Sequence, residues 1–282
     1  MPIQDATSPL RRVYVRPPSA GDLAAWRDYA WHAAPDAGAA ADEHSKLQAT
    51  LQEAGAEVVL GSPVAGDPDS LYAYDPTLMT DAGVILLHPG KEGRRGEPEV
   101  MGADLEALGI PVIGRMQAPG TAEGGDMFWL DPTTLLIGRG YRTNDDGIAQ
   151  LRAMLEPSGI DVVGFDLPHF RGPGMCIHLM SFISPLDTDL AVVFPMHMPV
   201  RLMEILRMRG IAIVEVPEEE FDSQGANVLA LGPRLALAVD GNPETRRRME
   251  AAGVEVRTFS GAEISVKGDG GPTCLTRPLE RG

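Results

Sequence analysis

The sequence predicts an α/β protein in which five copies of a strand–strand–helix–strand unit close into a ring. Three observations carry that expectation. Unit openings recur near residues 71, 126, 178 and 227, with Cys274 at the corresponding place in a fifth unit, so the spacings are 55, 52, 49 and 47 residues. Each opening leads through a turn into an apolar strand, then an amphipathic helix and another strand, and a repeated unit of about this length marks a solenoid or a propeller. The third observation is closure: the C-terminal run Thr273-Cys274-Leu275-Thr276 can pair with the opening strand Val13-Tyr14-Val15. A closed ring leaves no long unpaired strand edge.

The elements follow in order. Val13-Tyr14-Val15 reads as a strand closed by Arg16-Pro17-Pro18. A helix from about Ala39 to Gly55 carries Leu47, Leu51 and Ala54 at helical spacing, and Gly55 stops it before the β-branched Val58-Val59. Leu71 to Met79 is strand-like, Asp81-Ala82-Gly83 is a turn, and Val84 to Leu87 is a buried-type strand; a helix over Glu97 to Leu108 and the strand Pro111 to Ile113 complete that unit. The same order recurs with strands at 126–130 and 134–138, a helix near Gly147 to Leu155 and a strand at 162–165. It recurs again with strands at 178–184 and 190–194, a helix from Val200 to Met208 and a strand at 212–216. A last full copy has strands at 227–231 and 235–239, a helix from Pro243 to Ala252 and a strand at 254–256.

Composition bounds the function. With 44% hydrophobic and 23% charged residues over 282 positions, the chain reads as a single soluble catalytic domain, residues 1–282. The N-terminus has neither the basic nor the apolar segment of an export signal, and two cysteines make no disulfide framework, so a cytoplasmic location with free thiols is expected. A net charge of −16 disfavours nucleic acid and anionic membranes and favours a small cationic substrate. The six histidines form no metal-ligand spacing with Cys, Asp or Glu, and no phosphate-binding glycine motif is present. Neither a metal nor a cofactor is therefore expected.

The chemistry sits at matching places in the repeat. Asp75, the turn Glu123-Gly124-Gly125-Asp126, His178 and Cys274 all stand at unit openings, where a core strand would not carry polar residues. Taken singly, His178 could be a packed core histidine, Glu123 to Asp126 an acidic turn and Cys274 a buried small hydrophobe. A ring would instead bring an acid, an imidazole and a thiol to one centre. A thiol needs an activating partner, a histidine can move the protons, and a carboxylate can hold that histidine in one tautomer. Cys274, His178 and Glu123 take those roles. Cys176 lacks this register and is expected to be structural; the loop around His169 is placed to cover the axis.

At these residues the chain resembles the pentein superfamily of guanidino-group-modifying enzymes, and within it the dimethylarginine dimethylaminohydrolase family. The resemblance runs from about Val13 to Leu279. Its carriers are the run Asp69 to Asp75, Arg94-Arg95-Gly96-Glu97, Glu123 to Asp126, Arg142-Thr143-Asn144, His178 to Ser181 and Thr273-Cys274. It implies a five-bladed α/β propeller of ββαβ units about a pseudo-fivefold axis, with one site in the central channel. It also implies that Cys274 is the nucleophile, His178 the acid and base, and Glu123 its orienting carboxylate. Asp75 would bind the substrate guanidinium, Asp69 the α-amino group, Arg95 and Arg142 the α-carboxylate, with Asp126 counted among the substrate-binding residues.

The implied reaction is hydrolysis of the guanidinium C–N bond of a dimethylarginine-type substrate to citrulline and an amine, through a covalent thiouronium on Cys274. An amidinotransferase, a deiminase of another guanidine and a non-catalytic pentein binding a guanidine or a protein partner are the alternatives, and a homodimer is left open. Two positions depart from the family pattern. The family hydrolases commonly carry an acid immediately before Asp75, where this chain has Tyr74, and arginine deiminases an aspartate two residues after the histidine, where it has Met180. Fewer carboxylates suit a substituted or smaller guanidine, with Met180 packing on an N-alkyl group.

Overall fold

A computed structural model describes residues 2–175 and 177–282. Cys176 lies outside them. The described residues form five three-stranded sheets. The chain enters at β1 (Leu10–Val15), passes a short helix α1 (Ala20–Leu23) and the longer α2 (Ala37–Glu53), and reaches β2 (Glu57–Leu60). Then come β3 (Thr77–Thr80), β4 (Gly83–Leu86), α3 (Glu97–Ala107) and β5 (Val112–Arg115). The third group is β6 (Met127–Asp131), β7 (Thr134–Arg139), α4 (Asp145–Leu155) and β8 (Asp161–Asp166). The fourth is β9 (Ile183–Asp187), β10 (Leu190–Val193), α5 (Val200–Met208) and β11 (Ala212–Glu215). The fifth is β12 (Leu229–Gly232), β13 (Leu235–Val239), α6 (Pro243–Ala251) and β14 (Glu255–Phe259), and β15 (Arg277–Arg281) ends the chain.

One rule generates every sheet. An antiparallel hairpin is followed by a helical crossover to a third strand that lies parallel to the second, as in β3–β4–β5 and β6–β7–β8. Tight turns suffice for the hairpins, whereas a parallel return needs a crossover. At the β3–β4 turn Gly83 has φ +145°, and a Cβ there would lie 2.3 Å from the Pro111 carbonyl, so only glycine fits. Asp36 and Asn144 start α2 and α4 by accepting the Ala39 and Gly147 N–H groups, each at 2.8 Å. Strands β4, β7 and β10 are buried nearly end to end, while β5 and β11 keep exposed positions.

The first sheet is built from both ends of the chain. β15 pairs antiparallel with β1, which pairs parallel with β2, so the C-terminal strand supplies the missing first strand of this unit. Hydrogen bonds then tie each sheet to the next. Arg277 Nη1 reaches the Thr77 carbonyl at 3.2 Å, Trp129 Nε1 the Met79 carbonyl at 3.1 Å, and the Leu179 N–H the Asp126 carboxylate at 3.2 Å. Ser184 Oγ donates to the Ala226 carbonyl at 2.7 Å, and Arg281 Nη2 returns to the Ala230 carbonyl at 3.0 Å. A single cavity is lined by residues of β3, β6, β9, β12 and β15 together. No helix among the described residues is long and apolar enough to cross a membrane.

The structure corrects the unit openings. Pro68–Leu71, Gly124–Asp126 and Leu179–Ser181 are single 3₁₀ turns, and strands begin only at Thr77, Met127 and Ile183. Thr273 to Thr276, expected to pair with the opening strand, is likewise a turn, and Arg277–Arg281 makes the pairing. The signature is local: Tyr72, Asp126, Ser181 and Thr276 donate their N–H groups to the carbonyls of Asp69, Glu123, His178 and Thr273, at 2.8 to 3.2 Å. Both conformations bury the apolar residues, so hydropathy does not separate a turn from the strand it feeds.

Candidate active site

Five turns, each just before a unit's first strand, carry Asp75, Glu123, His178, Asn227 and Cys274. Because the first strands share one cavity, the turns that feed them converge. A second cavity holds Asp69, Asp75, Arg94, Arg142, His178 and Cys274 in its wall. Cys274 is buried, with 8% of its surface exposed.

Glu123 organises the centre. Its side chain is fully buried, and Oε2 lies 2.8 Å from Nε2 of His178. Arg142 Nη1 stands 3.2 Å from both carboxylate oxygens, and the Lys91 N–H donates to Oε1 at 3.0 Å. Burial alone would raise the carboxyl group's pKa, but the Arg142 charge, the hydrogen bond from His178 and the His178 charge more than offset it and hold Glu123 well below the ordinary range. An ionised carboxylate accepts only, so Nε2 of His178 carries the proton and Nδ1 is the ring atom for proton transfer. Nδ1 lies 4.0 Å from Asp75 Oδ1. Gly125 makes this approach sterically open: a Cβ there would sit 2.5 Å from Nδ1 and 2.9 Å from Asp75 Oδ1.

The thiol has a donor of its own. Asn227 Nδ2 is 3.0 Å from Cys274 Sγ, and Asn227 Oδ1 accepts the Thr273 N–H at 3.1 Å. The second bond fixes the amide's orientation, because a backbone N–H can only donate. An N–H aimed at sulfur favours the thiolate over the thiol.

Acids and cations alternate around these groups. Asp75 Oδ1 accepts the Gly125 N–H at 2.8 Å and Oδ2 bonds Arg94, which is buried and also forks onto Glu97. Asp69 accepts the Trp31 indole N–H at 2.8 Å and pairs with Lys91. Asp269, at the rim, meets His32 at 2.8 Å, and burial raises its pKa. Asp75, Glu123 and His178 present ligand atoms within 4.8 Å of one another, close enough for a cation. Both carboxylates are already engaged by arginines, so a metal ion would have to displace or repel Arg94 and Arg142.

The arginine deiminase family model matches residues 62–210 and 195–281, which is most of the chain. The chain belongs to this family of penteins. It is 30% identical to N(G),N(G)-dimethylarginine dimethylaminohydrolase of Streptomyces coelicolor over 241 residues, covering 86% of each chain. The Pseudomonas aeruginosa protein of that name is 29% identical over 244 residues, covering 86% of this chain and 89% of the relative. A solved structure of the Pseudomonas aeruginosa enzyme, a cysteine-to-serine mutant holding citrulline, superposes with a TM-score of 0.80 at 26% identity, over 95% of this chain and 98% of the other.

In this pentein Cys274, His178, Glu123, Asp75, Asp69 and Arg142 stand together. Arg95 does not join them. It is exposed with Nε toward the Pro89 carbonyl, and its buried neighbour Arg94 lines the cavity instead. Asp126 is buried beside the site but spent on the Thr143 hydroxyl at 2.7 Å and the Leu179 N–H; burial, then the nearby Glu123 charge, raise its pKa to about 6 against the offsets of His178 and Thr143. Tyr74 and Met180 line the other cavity, so packing of Met180 on a substrate N-alkyl group is not what the structure provides. Sequence reasoning missed Arg94, Lys91 and Asn227. A signal for Asn227 existed, since it opens the fifth unit at the place that Glu123 and His178 hold in theirs.

Proposed function

We propose that this pentein hydrolyses the guanidinium C–N bond of an arginine derivative of the dimethylarginine type, through a covalent intermediate on Cys274. The observation that carries the reading is the buried Glu123–His178 pair at 2.8 Å, whose histidine shares one cavity wall with Cys274, while the Cys274 sulfur accepts the Asn227 amide N–H. The five tied sheets support a five-bladed propeller around the channel, and the reduced-thiol chemistry suits the cytoplasm.

In the first half of the reaction the Cys274 thiolate attacks the central guanidinium carbon and forms a C–S bond. His178, as imidazolium, gives its Nδ1 proton to the departing amine as the C–N bond breaks. A thiouronium remains on sulfur. In the second half Nδ1 takes one proton from water, the hydroxide adds to the same carbon, and the C–S bond breaks to restore the thiolate; the O-protonated urea that leaves loses its remaining hydroxyl proton to solvent and becomes the ureido product. Glu123 keeps His178 in the tautomer both steps need. Asp75 and Asp69 offer negative charge to the substrate's cationic groups, Arg142 offers its guanidinium to the substrate's carboxylate, and Arg94, spent on Asp75 and Glu97, holds the Asp75 carboxylate in place.

Incubating the protein with arginine, methylated arginines, agmatine and simple guanidines, and assaying ureido products, tests the reading. Citrulline from a methylated arginine, at a kcat/KM above that for arginine, is the expected result. Preference for free arginine makes it a deiminase; amidino products seen only with an added amine make it a transferase; no turnover of any guanidine overturns the reading.

A further inference from the structure

The cavity on the far side of the catalytic turns contains a buried guanidinium that makes no ion pair with the described residues. Arg277 is 4% exposed, and burial lowers its pKa. Its Nη1 bonds the Thr77 carbonyl and its guanidinium lies over the Tyr74 ring, 3.6 Å from the centroid. Nε and Nη2 have no hydrogen-bond partner among the described residues. Those two atoms form one edge of the guanidinium, the edge whose parallel N–H groups match two oxygens of a planar oxyanion.

The acids around it are committed elsewhere: Asp75, whose charge acts on Arg277, bonds Arg94 and the Gly125 N–H. Asp5, the acid in this cavity wall, accepts the Thr7 and Ser8 N–H groups at 2.6 and 3.1 Å, and Arg281 adds a second buried guanidinium that bonds the Ser8 and Ala230 carbonyls. A buried charge persists when something pairs it, and unpaired buried N–H groups are rare in native proteins. The space is about 40 Å³. A water needs roughly 10–15 Å³ by such a measure, so an anion of three or four heavy atoms suits the space better than a larger one.

We propose that Arg277 is the anchor of a second binding site, for a small planar oxyanion such as formate, nitrate or bicarbonate. Tyr74 stacks under the guanidinium and Met180 closes the apolar wall. The site rests on Arg277's unpaired edge and is independent of the reaction assigned to Cys274. It gives the two departures from the family pattern a common location, since Tyr74 and Met180 line this cavity together. It also abuts the catalytic turns: Tyr74 and Thr273 line it, next in sequence to Asp75 and Cys274.

Calorimetric titration of the full chain with formate or nitrate at constant ionic strength, with chloride as the balancing anion and sulfate as an oversized control, tests this. One saturable site per chain is expected with formate and nitrate and none with sulfate, together with a melting temperature that climbs with the anion's concentration. Arg277→Gln should abolish both effects. If that variant does not fold, Met180→Phe, which fills the cavity and keeps Arg277, should abolish them instead. Saturable binding that survives in the folded variants, or a wild-type protein that binds neither anion, overturns the proposal: water alone would then satisfy the edge.

Discussion

At the scale of single residues, the site depends on which way small polar groups are held. Asn227 is fixed by the Thr273 N–H and therefore points its own N–H at Cys274 sulfur. Losing a hydrogen bond to a charged acceptor costs about 1.5–3 kcal/mol, and one pKa unit is about 1.4. Asn227→Ala should accordingly move the pH midpoint of Cys274 alkylation upward by about one to two units; an unmoved midpoint removes Asn227 from the chemistry. Gly125 is the second such residue. A Cβ 2.5 Å from His178 Nδ1 must displace the ring, so Gly125→Ala should cut kcat about 10²–10⁴-fold while the thiol still alkylates. Sequence reasoning singled out Cys274, His178 and Glu123, which the fold gathers, because their types and matching positions carry that information. It named Arg95, whereas Arg94 is the one in the cavity wall, because two adjacent arginines differ only in which side of a turn they leave from. Hydrogen-bond direction, which gives Asn227 its part, is written in no residue type.

At the scale of elements, the order of strands and helices was legible and the openings were not. Helices α3, α4, α5 and α6 fall within two residues of their expected limits at either end, because caps and apolar spacing mark them. The functional turns look like strand in sequence since their apolar residues are buried either way. Helix α2 hides a titratable group that periodicity alone could not flag. His44 is buried on its inner face, Gln48 Nε2 sits 2.8 Å from its Nδ1, and the His44 Nε2 has no partner among the described residues. Burial lowers its pKa from 6.5 to about 4. The unfolded chain thus takes up a proton below about pH 6.5 that the folded chain refuses until about pH 4. Stability is fully present above that window and falls through it, by up to about 3 kcal/mol. Chemical denaturation between pH 7 and 4 should show this slope in the wild type and lose it in His44→Leu; equal slopes would remove His44 as its cause.

At the scale of the whole molecule, closure puts the chemistry in one place. The bonds from Arg277 to Thr77 and from Arg281 to Ala230 join the last strand to its neighbours on both sides, and residues some two hundred positions apart in sequence become cavity mates. The repeat spacing foretold that convergence, whereas the second cavity and its unpaired arginine edge emerge only when the five first strands are seen together. The net charge of −16 suits a cationic substrate drawn toward this axis. The central claim is covalent catalysis at the point where the turns meet, and intact-mass spectrometry of protein acid-quenched during turnover of a methylated arginine tests it most directly. The account predicts a wild-type adduct equal to the substrate less its amine, mapped to the peptide bearing Cys274 and absent from Cys274→Ser, which should not turn over. Citrulline formed without any adduct, or at the full rate by Cys274→Ser, would contradict it.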